Sequence, residues 1–209
     1  MEFHPHDLLK LKGEEDLICD SPLQDWVKES LSRAPFVVVR RAPLMKKLVP
    51  VGIRGESRSE RFAAFIPYDK ILETITPEQL VEKTSWEQNE RFHFIDALQS
   101  LPHVSKTLSR FSVNWGPTGS VGFELASNVY TAKPTSDLDL VVRTPSLLPM
   151  ELAVDLRTQI SKVKVRVDVQ LETPNGAISL DEYSNGKSPV LLRTENGPQL
   201  VKIQEIWNN

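Results

Sequence analysis

The residues most suited to chemistry are three aspartates in two segments that are typical of β-strands. In SDLDLVV, side chains alternate between the two faces of a strand, so Asp137 and Asp139 share one face. In VRVDVQLE, Asp168 lies opposite a row of valines. If the apolar faces of both strands pack on the same helices, the three carboxylates emerge together. Their mutual repulsion then favours bound cations, and hard oxygen ligands favour Mg²⁺ or Mn²⁺. The alternative is three solvated side chains on exposed sheet faces.

A glycine-rich turn precedes the aspartates, in GPTGSVGFELAS. Gly119 and Ser120 stand just before a predicted helix, and the free amides of a helix N-terminus bind anions. The G-x-x-G-x-x-G spacing differs from the dinucleotide-binding G-x-G-x-x-G, and no Gly-Lys-Ser/Thr follows. A phosphate-binding turn followed by metal-binding aspartates predicts phosphoryl or nucleotidyl transfer.

Arginines in the first half of the chain could contact the phosphates of a substrate, because the planar guanidinium matches phosphate geometry. Surface salt bridging is the alternative for each of them. Arg166 has even spacing from Asp168 and is a candidate charge partner for it. The predicted phosphate-binding arginines are Arg40, Arg54, Arg58 and Arg61.

The helices and strands predicted around these residues indicate an α/β (α+β) protein of two domains. Residues 1–84 form a small mixed α/β domain. It has a helix with Ser21 as N-cap and Pro22 as first helical residue, the strand FVVV, and a helix beginning at Pro77. Residues 85–209 hold the glycine turn and the aspartates, on a mixed sheet flanked by helices. The segment 163–171 alternates apolar and polar residues and is the strongest strand pattern.

Composition excludes several classes of protein. The 209 residues carry a formal net charge of -3, which does not favour sequence-independent binding of nucleic acid. One cysteine rules out an internal disulfide framework and fits a reducing compartment. The first residues lack a signal-peptide pattern, and no apolar run is long enough to cross a membrane. We therefore expect a cytoplasmic protein without nucleic-acid or membrane partners.

The pattern of Gly-Ser, Asp-x-Asp and a later third Asp resembles the nucleotidyltransferase superfamily. The chain is more similar still to one family, the phosphoribosyl-dephospho-CoA transferases that complete the acyl carrier protein of malonate decarboxylase. The similar segments cover nearly the whole chain. They include HPHDLL, APFVVVRRAP, PVGIRG, RSERFAAF, WGPTGSVGFELAS, SDLDLVVR, RVDVQLETPNGAISLDEY and VLLRTENGPQLV.

The resemblance implies a nucleotidyltransferase-like catalytic domain and a specific reaction. The donor would be triphosphoribosyl-dephospho-CoA, the acceptor a serine of the carrier protein, and the released product pyrophosphate. Asp137, Asp139 and Asp168 would hold the metal, with Asp168 a candidate for removing the serine proton, and Gly119 and Ser120 would hold the pyrophosphate. A citrate lyase carrier as acceptor stays open. The aspartate pattern is equally compatible with a nucleotidyltransferase that moves AMP or a similar group to another acceptor. A noncatalytic binding module on the same fold also stays open.

Overall fold

The computed structural model describes residues 2–43, 45–57 and 59–208. Contacts between Cα atoms divide the chain into two units, Met1–Thr76 and Pro77–Asn209. Each unit has its own sheet, and in the described residues both combine strands with helices. The predicted α+β fold class is therefore confirmed.

The described part of the first unit is an antiparallel sheet with a helix packed on it. The strand order is β4-β3-β2-β1-β5. Leu31 and Val27 of α1 join the strand residues Val37, Val49 and Val51 in one apolar core. The predicted helix start at Pro22 is wrong by one turn, because Gln24 adopts an extended backbone conformation. The elements are β1 (Leu8–Lys10), α1 (Asp25–Arg33), β2 (Phe36–Val39), β3 (Leu48–Arg54), β4 (Arg61–Pro67) and β5 (Glu73–Ile75).

The second unit has a mixed sheet, with strand order β11-β10-β9-β8-β7-β6 in its described part. Strands β7 and β8 are parallel, and helix α5 connects them. Helices α2 and α4 contact β6 and each other, whereas α5 and α6 pack together and α6 contacts β8. The elements are α2 (Pro77–Glu82), α3 (Asp96–Leu108), β6 (Asn114–Pro117), α4 (Gly119–Ser127), β7 (Leu138–Arg143), α5 (Met150–Ile160), β8 (Val167–Thr173), β9 (Gly176–Ser179), α6 (Leu180–Ser184), β10 (Val190–Thr194) and β11 (Gly197–Val201).

The two units divide between Thr76 and Pro77, before the boundary near residue 84 that the sequence predicts. Helix α2 begins at Pro77 as predicted, but it packs against β6 and therefore belongs to the second unit. The approach is close at Gly116, where an added Cβ would overlap the backbone of Pro77. The polar segment after α2, whose composition is typical of a linker, holds a 3-10 turn at Ser85–Gln88 whose Trp86 is buried.

The helices in the described part of the chain are short. None of them is both long and apolar enough to cross a membrane.

Candidate active site

Two of the three predicted aspartates are direct neighbours across the parallel pair of strands. Asp139 of β7 and Asp168 of β8 are register partners, so their side chains point to the same face of the sheet. Asp137 precedes β7, and the amide of the next residue, Leu138, donates to the carbonyl of Arg166 at 2.9 Å. The sequence predicts that the three carboxylates emerge together. The register places Asp139 beside Asp168 near the start of both strands, and Asp137 comes just before β7.

Arg166 forms a solvent-exposed ion pair with Asp168. Its Nη2 and Nε donate to Oδ1 of Asp168 at 2.9 and 3.2 Å. The hydrogen bond to Asp168, then the charge of Asp168 and then that of Asp137, raise the pKa of Arg166 above its usual value. Both side chains are open to solvent, with exposed fractions of 70% for Arg166 and 42% for Asp168. The predicted charge partnership is therefore present, at a surface where water or a ligand can replace it.

The glycine turn lies directly against Asp139. The amide of Thr118 donates to the carbonyl of Asp139 at 2.8 Å, and α4 begins at the next residue. Gly119 has a φ of +60°, and an added Cβ there would overlap the Asp139 carboxylate. A side chain is thus excluded by both conformation and space. The turn brings the start of α4, with its outward-pointing amides, beside the carboxylates.

Ser120 lies in the first turn of α4 and is joined to the segment of residues 128–137, which leads to β7. Its hydroxyl is 3.4 Å from the hydroxyl of Ser136, and its carbonyl accepts a hydrogen bond from Oγ1 of Thr131 at 2.7 Å. The Ser136 hydroxyl also accepts from the amide of Lys133 at 2.8 Å. The long segment between Ser120 and Asp137 is therefore folded back onto the helix that carries Ser120.

Glu124 of α4, which the sequence reasoning missed, holds that same segment. Its carboxylate is fully buried and accepts hydrogen bonds from Nη1 of Arg91 at 3.0 Å and from the amides of Thr131 and Ala132 at 2.9 and 2.8 Å. Arg91 also donates from Nη2 to the carbonyl of Ala132 at 2.9 Å. The signal in the sequence was a single acidic residue in the apolar helix VGFELAS, three residues after Val121 and so on its buried face.

The predicted phosphate-binding arginines, where described, lie in the first unit. Arg40 donates from Nε to the carbonyl of Val51 at 3.2 Å, and its guanidinium lies 5.7 Å from the ring centre of Phe65. Arg54 and Arg61 are exposed register partners across β3 and β4. Arg58 lies outside the described residues.

Oxygen donors suited to a hard divalent cation are present, but they are not gathered into a complete set of ligands. Among residues 2–43, 45–57 and 59–208, no group of three or more His, Cys, Asp or Glu side chains is arranged to hold a metal ion. Asp139 and Asp168 are adjacent, while Asp168 is engaged by Arg166. The donor chemistry fits Mg²⁺ or Mn²⁺. A cation at Asp168 would compete with Arg166.

Comparison with known proteins matches both units to one family. Residues 4–77 match the family described as phosphoribosyl-dephospho-CoA transferase MdcG N-terminal domain, and residues 86–204 match its C-terminal domain. No solved structure gives a significant match.

Relatives from several bacteria agree with these matches. A phosphoribosyl-dephospho-CoA transferase of Pseudomonas fluorescens (strain Pf0-1) is 37% identical over 203 residues, covering 97% of this chain and 94% of the relative. The transferases of Pseudomonas putida and Klebsiella pneumoniae are 38% and 34% identical, each over 94% of this chain and over 92% and 93% of their own lengths. The resemblance predicted from the sequence is therefore confirmed, and the chain belongs to the phosphoribosyl-dephospho-CoA transferase family.

Proposed function

We propose that the protein transfers the phosphoribosyl-dephospho-CoA group from triphosphoribosyl-dephospho-CoA to a serine of the malonate decarboxylase acyl carrier protein. Pyrophosphate is the second product, and Mg²⁺ or Mn²⁺ is required. The observation that carries the proposal is the pairing of Asp139 with Asp168 beside the N-terminus of α4. The family names of the relatives support the transferred group. The single cysteine supports a cytoplasmic location.

The proposed step is a displacement at phosphorus. The serine Oγ of the carrier forms a bond to the α-phosphorus of the donor, the bond between that phosphorus and the oxygen bridging to the β-phosphate breaks, and pyrophosphate leaves with the electron pair. The serine proton passes to a carboxylate, for which Asp168 is our candidate because its side chain is open to solvent.

The residues of the chain serve this step by position and charge. The amides at the start of α4, at Gly119 and Ser120, donate to the oxygens of the departing pyrophosphate. Asp137, Asp139 and Asp168 would hold a divalent cation, which when bound would neutralise charge on the phosphate oxygens. Arg40, Arg54, Arg58 and Arg61 stay candidates for contacts with the donor phosphates.

The test is the mass of the carrier protein. Wild-type protein is incubated with MgCl₂, triphosphoribosyl-dephospho-CoA and the carrier subunit of malonate decarboxylase, and the carrier is weighed by mass spectrometry. We expect a gain equal to one phosphoribosyl-dephospho-CoA group. Parallel reactions use ATP as donor, to test for transfer of AMP, and a citrate lyase carrier as acceptor. A gain only with ATP, or no gain with any donor, contradicts the proposal.

Asp139→Asn keeps the size of the side chain and removes its charge, so we expect transfer to slow by about 10²–10³-fold. Asp155→Asn, at an exposed residue of α5, is the matched control and should transfer at the wild-type rate. Equal rates for the two variants would show that the Asp139 carboxylate has no part in the reaction.

A further inference from the structure

Tyr130 is an exposed aromatic side chain that is nevertheless held in place. It is 62% exposed and lies in the segment between α4 and β7. Its hydroxyl donates to Oε2 of Glu90 at 3.0 Å, and its ring centre lies 4.8 Å from the guanidinium of Arg91. The hydrogen bond to Glu90 and then the charge of Glu90 raise the pKa of the phenol above its usual value, so the hydroxyl stays protonated. Ordering a side chain costs conformational entropy, and burial can offset only part of that cost for a residue this exposed.

The support under the ring is itself rigid. Arg91 donates to the fully buried Glu124 and to the carbonyl of Ala132, and only 22% of its own side chain is exposed. One face of the Tyr130 ring is therefore covered by a fixed guanidinium. Tyr130 is 62% exposed, and the other face and the edges of the ring are the surface available to a ligand.

The backbone of Tyr130 lies near the proposed phosphate site. Thr131, the next residue, donates from Oγ1 to the carbonyl of Ser120 at 2.7 Å and from its amide to Glu124 at 2.9 Å. Since consecutive Cα atoms are about 3.8 Å apart, the Cα of Tyr130 lies within roughly 10 Å of the Ser120 carbonyl oxygen, in the first turn of α4. A ligand whose phosphates bind at that turn can place a planar group over the ring.

We propose that Tyr130, supported by Arg91, stacks against the adenine base of the dephospho-CoA group. This inference rests on the proposed function, because it assigns part of the proposed donor to a surface. Every nucleobase has a π face, and a rigid aromatic ring binds it with little further loss of entropy. A fixed guanidinium on the far side of the ring adds a cationic contact of the kind that strengthens such sites.

The experiment compares two ligands that differ by the adenylate part. Dephospho-CoA contains adenine, and 4′-phosphopantetheine is the same molecule without its adenylate. Binding of each to the full chain is measured by titration calorimetry, in the absence of any carrier protein. We expect Tyr130→Ala to weaken dephospho-CoA binding by about tenfold or more, a typical effect of losing one stacked base. Binding of 4′-phosphopantetheine should be unchanged.

Two further variants separate stacking from a general effect on the fold. Tyr130→Phe keeps the ring and should bind dephospho-CoA nearly as the wild type does. Phe94→Ala removes an aromatic side chain that is 74% exposed in the neighbouring 3-10 turn, and should change neither ligand. In NMR spectra, the adenine H2 and H8 resonances of bound dephospho-CoA should shift upfield with the wild type and with Tyr130→Phe, and not with Tyr130→Ala.

The inference is overturned if wild-type protein does not bind dephospho-CoA. It is also overturned if Tyr130→Ala binds dephospho-CoA as tightly as the wild type, or weakens both ligands equally. If Tyr130→Ala binds dephospho-CoA with unchanged affinity but has a raised KM for the carrier protein in the transfer reaction, the ring contacts the acceptor protein instead. Because binding is measured without turnover, a failure of carrier modification leaves this result standing and contradicts only the proposed function.

Discussion

Two of the carboxylate–arginine pairs in the described part of the second unit have similar lengths and opposite environments. Arg166 and Asp168 are two residues apart on one strand, and both are open to solvent. Arg91 and Glu124 are 33 residues apart, and the Glu124 carboxylate is fully buried. An exposed ion pair is in exchange with water and contributes little to stability, whereas a buried one is costly to break. The first pair is thus suited to giving way to a ligand, and the second to holding the backbone.

Removal of the buried Glu124 carboxylate should cause the largest loss of stability. Glu124→Ala removes the carboxylate paired with Arg91 and leaves the amides of Thr131 and Ala132 without their acceptor, so we expect the free energy of unfolding to fall by about 3–5 kcal/mol. Urea denaturation measures the loss, and faster hydrogen exchange at the two amides locates it.

The matched control is the exposed pair between Arg157 and Asp181. Asp181→Ala should lower the free energy of unfolding by no more than about 1 kcal/mol. If the two variants lose the same amount, burial is not what distinguishes the two kinds of pair.

A smaller loss of stability is expected from a substitution at Gly119, where α4 begins. Gly119→Ala puts a residue with a side chain at positive φ, at a cost of roughly 1–2 kcal/mol, and pushes it into the Asp139 carboxylate. We expect most of the transfer activity to be lost while the chain still folds, measured by the carrier mass assay and by thermal unfolding.

Gly186→Ala is its control, because Gly186 has a similar φ of +65° and nothing within 4 Å of the added Cβ. It should show the backbone cost with full activity. Normal activity in Gly119→Ala would mean that the turn and the Asp139 carboxylate do not act together.

The exposed pair gives a still smaller effect. Arg166→Ala removes the guanidinium that is paired with Asp168, so we expect Mn²⁺ to bind more tightly to the variant than to the wild type. Electron paramagnetic resonance of free Mn²⁺ measures the difference. Stability should hardly change. Arg157→Ala, at the other exposed arginine, should bind Mn²⁺ as the wild type does. Weaker Mn²⁺ binding in Arg166→Ala would show that this pair assembles the site and does not compete for it.

The smallest effect on stability is expected at Tyr130, whose ring lies against Arg91 of the buried pair. The pKa of Tyr130 is raised by its hydrogen bond to Glu90 and by the charge of Glu90. A phenol whose native pKa lies above its unfolded value stabilises the fold fully below about pH 10, and this contribution is lost as the pH rises through the native pKa. In Glu90→Ala the native pKa of Tyr130 should return toward 10.0. The chain has three tyrosines, so the titration of Tyr130 is followed as the part of the phenolate absorbance that is missing in Tyr130→Phe. A titration unchanged by Glu90→Ala would contradict the hydrogen bond.

Local pattern predicted several of the strands and turns around the candidate site. Strand alternation predicts that Asp137 and Asp139 share a face, because the period of two is a property of the backbone, and the structure places Asp139 in β7 and Asp137 just before it. The Gly-Ser turn marked the start of α4, and the Asn175–Gly176 turn joins β8 to β9. The predicted strand at residues 163–171 begins only at Val167, since the amides of Ser161, Lys162 and Val163 bond back to α5.

Tertiary structure decided which of these residues meet. Asp139 and Asp168 are partners only because β7 and β8 pair in parallel, in one of many registers that alternation permits. The assignment of α2 to the second unit, and the pairing of Arg91 with Glu124, depend on contacts between distant parts of the chain. Residue types and spacing thus determined the chemistry available to this protein. The order of strands and the burial of one carboxylate decided which aspartates stand together and which glutamate holds their supporting segment, because packing is a property of the whole chain.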